Sequence, residues 1–134
     1  MIDEEWKNSE KQRKALLAKY DGHCAYCGCV LGKGWHADHL KPCIRITTDQ
    51  WGRPLPAALH RFIKPERNCV SNMMPACQPC NNSKHSYSLE GWRDVLQRSA
   101  QIARRATSTF KAGERFGIIT VTEKPIVFYF ETLA

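Results

Sequence analysis

The chain has 134 residues, a formal net charge of +7 and a sequence pI near 9.2. That length suits one domain with a modest core, and the basic balance falls in the range of nucleic-acid-binding domains. The first residues are too acidic and polar for a secretory leader, and no apolar run approaches membrane-spanning length, so a soluble intracellular protein without a membrane partner is expected.

Charge is unevenly spread. Residues 1–40 carry six basic and six acidic side chains, residues 41–111 twelve and four, and residues 112–134 two and three. The surplus therefore lies in the middle of the chain, where it would concentrate a positive field.

An N-terminal helix is expected over residues 1–20, with Asp3 as its cap, Glu4 and Glu5 in its first turn, and Gly22 as its stop. The Cys24–Gly28 stretch reads as a tight knuckle whose backbone N–H groups point at sulfur. A short hairpin should follow, with its return strand running through Trp35 to Leu40. Residues 44–70 form a long insertion holding Arg45, Arg53, Arg61, Lys64 and Arg67, with turn signals at Trp51-Gly52 and Pro54-Leu55-Pro56 and a short helix expected near residues 57–63. Loops of this length in small domains are often functional, and the insertion is a candidate substrate-contacting flap.

A helix should open at Pro79 or Cys80 and pass Lys84, placing Asn81 and Lys84 three apart on one face. Ser88 caps a longer helix to about Thr107, with Trp92, Val95 and Leu96 inward. Residues 116–122 and 126–132 alternate or run apolar around Glu123-Lys124-Pro125, which predicts a terminal β-hairpin. No internal repeat or second domain is evident, so residues 1–134 read as a single α+β domain: helix, a core over residues 21–86, then helix and hairpin over residues 88–134.

Seven cysteines, an odd number, include two Cys-x-x-Cys pairs, Cys24/Cys27 and Cys77/Cys80. Four thiolates suit a closed tetrahedral zinc site in a reducing compartment, better than disulfides do. Cys29, Cys43 and Cys69 remain unassigned, read as free thiols or small buried hydrophobes. Asp38 and His39 lie between the pairs, and Asn81 follows the last cysteine. A carboxylate and an amide oxygen beside an imidazole would make a harder, open site suited to a magnesium-like ion.

Four segments, Cys24-Ala25-Tyr26-Cys27-Gly28, Ala37-Asp38-His39-Leu40-Lys41-Pro42, Asn72-Met73-Met74-Pro75-Ala76-Cys77 and Cys80-Asn81-Asn82-Ser83-Lys84, resemble the HNH endonuclease family in content and order. The resemblance covers residues 20–84. It implies a ββα-metal (His-Me finger) core stapled by structural zinc on Cys24, Cys27, Cys77 and Cys80. It implies further that Asp38 and Asn81 hold a catalytic Mg or Mn ion, that His39 is the general base, and that Asn72 fixes the loop carrying that base by hydrogen bonding. The last family letter is often histidine; Asn81 stands there in this chain and leaves the metal preference open. For Asp38 and His39 to share a site, the strand carrying them should bend or bulge.

The implied activity is hydrolysis of DNA phosphodiester bonds, leaving 5′-phosphate and 3′-hydroxyl ends. Lys84, Arg45 and His85 are candidate phosphate contacts. Two other classes fit parts of the pattern. A non-catalytic zinc-binding nucleic-acid module would use the cysteines and the charge, and a zinc-knuckle protein-interaction domain would use the cysteines alone.

Overall fold

Two strands separated by more than thirty residues meet at the centre of the molecule. In a computed structural model that describes residues 3–133, β1 (His36–His39) runs antiparallel to β4 (Met73–Ala76), in continuous register from His36↔Ala76 to His39↔Met73. Helix α2 (Gln78–Lys84) follows β4 after one residue and packs on β1. Every residue of β4 is buried, and its alternation feeds two cores. Met74 and Ala76 pack with Cys24, Ala25, Tyr26, Trp92 and Phe128, whereas Met73 packs with Trp6 and Leu16. Pro75 is tolerated because β4 has β1 as its one strand neighbour; on the other side the Pro75 carbonyl accepts the Ala25 N–H at 2.8 Å.

The N-terminal helix starts later than the sequence suggests. Helix α1 spans Glu10–Ala18, and its cap is Ser9, whose hydroxyl accepts the Gln12 N–H. Residues 4–6 instead run extended beside residues 68–70, with Trp6 N–H donating to Asn68 O (3.0 Å) and Val70 N–H to Glu4 O (2.8 Å). Asp3 accepts from Ser71 rather than capping a helix. An extended path buries Trp6, and the left-handed backbone of Asn8 (φ 54°) separates it from the helix. Residues 1 and 2 of the expected helix lie outside the described residues. Gly22 ends this region as expected, at φ +79°, its N–H on Leu17 O.

The insertion is a two-stranded arm. Strand β2 (Ile44–Ile46) pairs antiparallel with β3 (Arg61–Ile63), so the short helix expected over residues 57–63 is only a 3₁₀ turn at Ala57–Leu59 leading into a strand. Asp49 shapes the turn at the tip, accepting the N–H groups of Trp51 and Arg53.

The C-terminal region differs most. Three short helices, α3 (Leu89–Gln97), α4 (Ser99–Ala106) and α5 (Ser108–Arg115), replace one long helix. Ser88 does cap α3, but the Ser99 hydroxyl turns back to Leu96 O at 2.6 Å where the first helix ends, and Thr107, in extended backbone, caps α5. Among the described residues no β-hairpin follows. The apolar alternation of residues 126–130 instead serves a segment that inserts Phe128 into the core and hydrogen-bonds the cysteine knuckle, Tyr129 N–H to Tyr26 O (2.9 Å) and Phe130 N–H to Ala25 O (2.8 Å). A methyl group on Gly28 (φ +80°) would lie 2.9 Å from the Tyr129 ring, so this docking requires glycine there. No helix among the described residues is long and apolar enough to cross a membrane.

Arg93 fastens this segment, donating to Ile126 O at 2.7 Å and to both oxygens of Glu131 while also pairing with Glu90. Those hydrogen bonds hold the Glu131 carboxyl below its usual value of 4.5. A depressed folded-state value means that this contribution is complete above about pH 4.5 and drains away as pH falls further. Arg93→Gln should therefore raise hydrogen exchange in residues 126–131 at neutral pH and remove part of the acid-side loss of stability, read by melting from pH 7 to 3.

Candidate metal centre and adjoining pocket

The knuckle brings Cys24 and Cys27 to one point, and the start of α2 brings Cys77 and Cys80 to the same point. Their four sulfurs lie within 4.8 Å of one another, with Cys27 Sγ 3.8 Å from Cys77 Sγ. A tetrahedron with metal–sulfur bonds of about 2.3 Å has edges of about 3.8 Å, so the donor set has the size and chemistry to hold a metal ion. Exposed Cys29 is outside this group.

Crowding perturbs three of the thiols, in opposite directions. A hydrogen bond from Cys80, joined by backbone N–H groups of Cys27, Cys77 and Tyr26, pulls the Cys24 thiol down against the opposing effect of burial. The same hydrogen bond pushes Cys80 up, and burial pushes Cys77 up. Without a cation the cluster keeps protons; a divalent ion would displace them and take all four as thiolates.

Beside the cluster, between the end of β1 and α2, a pocket of about 330 Å³ is lined by Asp38, His39, Pro42, Asn81 and His85 among others. The strand carrying Asp38 and His39 has no bulge. It stops at His39, and both residues line the pocket that opens across that end. Asn81 is half-buried, and among the described residues its side chain has no hydrogen-bond partner. His85 is exposed at the pocket rim with a positive φ (49°), bonded to Ser86 at 2.7 Å.

His39 is oriented from the opposite side. Its Nε2 is 2.9 Å from Asn68 Oδ1, and Asn68 Nδ2 donates to Trp6 O at 3.2 Å. Because a carbonyl can only accept, the amide must present its oxygen to the imidazole, so Nε2 carries the proton. Nδ1 is thus the acceptor, with no hydrogen-bond partner among the described residues. The loop after His39 is clamped by buried Asn72, whose Oδ1 accepts Lys41 N–H (2.9 Å) and whose Nδ2 donates to Lys41 O (3.0 Å) and Arg67 O (2.8 Å).

Asp38 is more encumbered than the sequence suggests. Its Oδ2 accepts from the Tyr26 hydroxyl at 2.6 Å and pairs with Lys84 Nζ at 3.0 Å. Burial and the neighbouring Asp38 charge push the Tyr26 hydroxyl upward, so it remains a donor. Lys84 cannot contact phosphate as expected: it is fully buried, and its ammonium spans Asp38 and the His39 carbonyl (2.8 Å). Its place four residues beyond Cys80 on α2 turns it inward. Arg45 also lies outside this pocket; it projects from the arm into a neighbouring groove that shares His39. Tyr26 and Asn68 were not singled out as site residues. Tyr26 sits between two metal-ligating candidates, which offered a hint; Asn68, in the insertion, offered none.

No family model, curated protein or solved structure matches the chain.

Two outcomes follow. Replacing Cys77 with serine should remove bound metal and unfold the domain, since structural zinc contributes on the order of 10 kcal/mol in small domains; metal analysis and far-UV circular dichroism check both. Lys84→Met leaves Asp38 buried without a counter-charge and should cost about 3–5 kcal/mol in urea denaturation. A loss below about 1 kcal/mol would show that the carboxylate finds compensation elsewhere.

Proposed function

We propose that this chain is a metal-dependent DNA endonuclease of the HNH type, with β1, β4 and α2 as its ββα-metal core and zinc on Cys24, Cys27, Cys77 and Cys80. The observation that carries this reading is the convergence of Asp38, His39 and Asn81 on one pocket, with the unprotonated nitrogen of His39 left free.

His39 accepts a proton from the attacking water at Nδ1, while Asn68 keeps the ring in the tautomer that can do so. Asn72 holds the backbone after His39, so the imidazole meets the water from a fixed direction. Asp38 and Asn81 would supply oxygen ligands to a magnesium- or manganese-like ion, which when bound neutralises charge on the phosphate and leaving oxygen. Two protein oxygens are few, in keeping with an ion that retains waters. His85, at the rim, is placed to meet a phosphate oxygen. Attack by water in line with the 3′ oxygen leaves 5′-phosphate and 3′-hydroxyl ends. The thiolate cluster suits a reducing, intracellular setting.

The Lys84–Asp38 pair favours a second reading, a non-catalytic zinc-binding nucleic-acid module, because the carboxylate's charge is already balanced. Incubating the protein with plasmid and magnesium or manganese separates the two. The nuclease reading expects cleavage that falls by about 10² to 10⁴ in His39→Ala while zinc content is retained. Wild-type protein as inert as the variant with every metal would leave the binding module.

A further inference from the structure

On the far side of His39 from the pocket lies a second groove of about 520 Å³, walled by the N-terminal segment, the start of β1 and the arm. Its lining includes Lys7, Arg13, Trp35, Arg45 and Phe62, and no carboxylate. Two of its cations are braced on aromatic rings. The Arg13 guanidinium lies 4.1 Å over Trp35 and donates only to neutral acceptors, Asn8 Oδ1 (2.9 Å) and Trp35 O (3.3 Å); Arg45 lies 5.9 Å from the centre of Phe62, its cross-strand partner.

Outside the groove the arginines divide evenly: Arg61, Arg67, Arg105 and Arg115 form no ion pair among the described residues, and four others do. Arg53, Arg93, Arg98 and Arg104 each pair with a carboxylate. Among the described residues, Lys7, Arg13 and Arg45 have no carboxylate partner within 4.0 Å. What sets these three apart is their placement: they come from three separate parts of the chain and line one concave place that has no carboxylate.

We infer that this groove seats the sugar-phosphate backbone of the nucleic-acid strand that flanks the phosphate at His39. A guanidinium already fixed by stacking loses little freedom on meeting a phosphate, and it offers N–H groups suited to phosphate oxygens. Because His39 borders both spaces, a strand with one phosphate in the pocket continues directly into the groove. The contacts are charge on phosphate rather than hydrogen bonds to base edges, so binding here tolerates any sequence. This inference rests on the nucleic-acid reading above but not on catalysis.

The test measures binding of a labelled duplex, in two unrelated sequences, across a salt series without added divalent ion. Lys7→Gln/Arg45→Gln should weaken affinity about tenfold or more near 0.1 M salt and flatten the slope of log K against log salt by about two, roughly 0.9 for each lost phosphate contact, equally for both sequences. Arg13→Gln alone should flatten it by about one; since Arg13 also braces Trp35, its melting curve is recorded alongside. A control of equal charge change, Lys111→Gln/Lys124→Gln, should leave the slope almost unchanged. Unaltered slopes in the groove variants, an equal effect in the control, or no binding by the wild type would each overturn the inference. Binding without metal-dependent cleavage would overturn the nuclease reading and leave the groove standing; cleavage with unchanged binding in the variants would do the reverse.

Discussion

A single buried ammonium organises the centre of this protein. Lys84 reaches from the end of α2 to Asp38 and the His39 carbonyl, and Tyr26 approaches the same carboxylate from the knuckle. Strand, helix and knuckle thus meet at one oxygen atom. Charge burial of this kind is expensive unless every partner is present. Three elements must be in place together, and the four sulfurs, gathered from two of them, impose the same requirement from the opposite side.

That constraint explains why the chemistry-bearing residues stand out in the sequence while their surroundings do not. The cysteine spacing and the short helix after Cys77 were legible because ligand geometry dictates them. The role of Asn72 came from the resemblance, and its hydrogen bonds fit it. Lys84 departs from expectation because spacing on a short helix gives relative position without direction: Asn81 and Lys84 are three apart, yet one lines the pocket and the other is fully buried.

The flanks were harder to read, for a different reason. Residues 126–130 have the alternation of a strand, but their hydrogen-bonding partners belong to residues 25–26, far away in sequence. Alternation reports that one side of an extended segment is buried and says nothing about who its neighbour is. At the other end, acidic residues after Asp3 suggested a helix start, and burial of Trp6 outweighed that local preference. The insertion gave up its charge but not its strands, because residues 44–46 and 61–63 are too short to show a period.

The extended segments at the two extremities, residues 4–6 and 128–130, each hydrogen-bond to a backbone in or next to the motif-bearing centre of the sequence: the first to residues 68–70, the second to residues 25–26. The motif-bearing stretch consequently shares both of its cores with the flanks. Excised as residues 20–86, it would lose Trp6, Trp92 and Phe128, which supply much of both cores, and the backbone that carries Asn68 would lose the neighbour that fixes it. The candidate site lies in the middle of the chain, and the ends supply the packing that holds it.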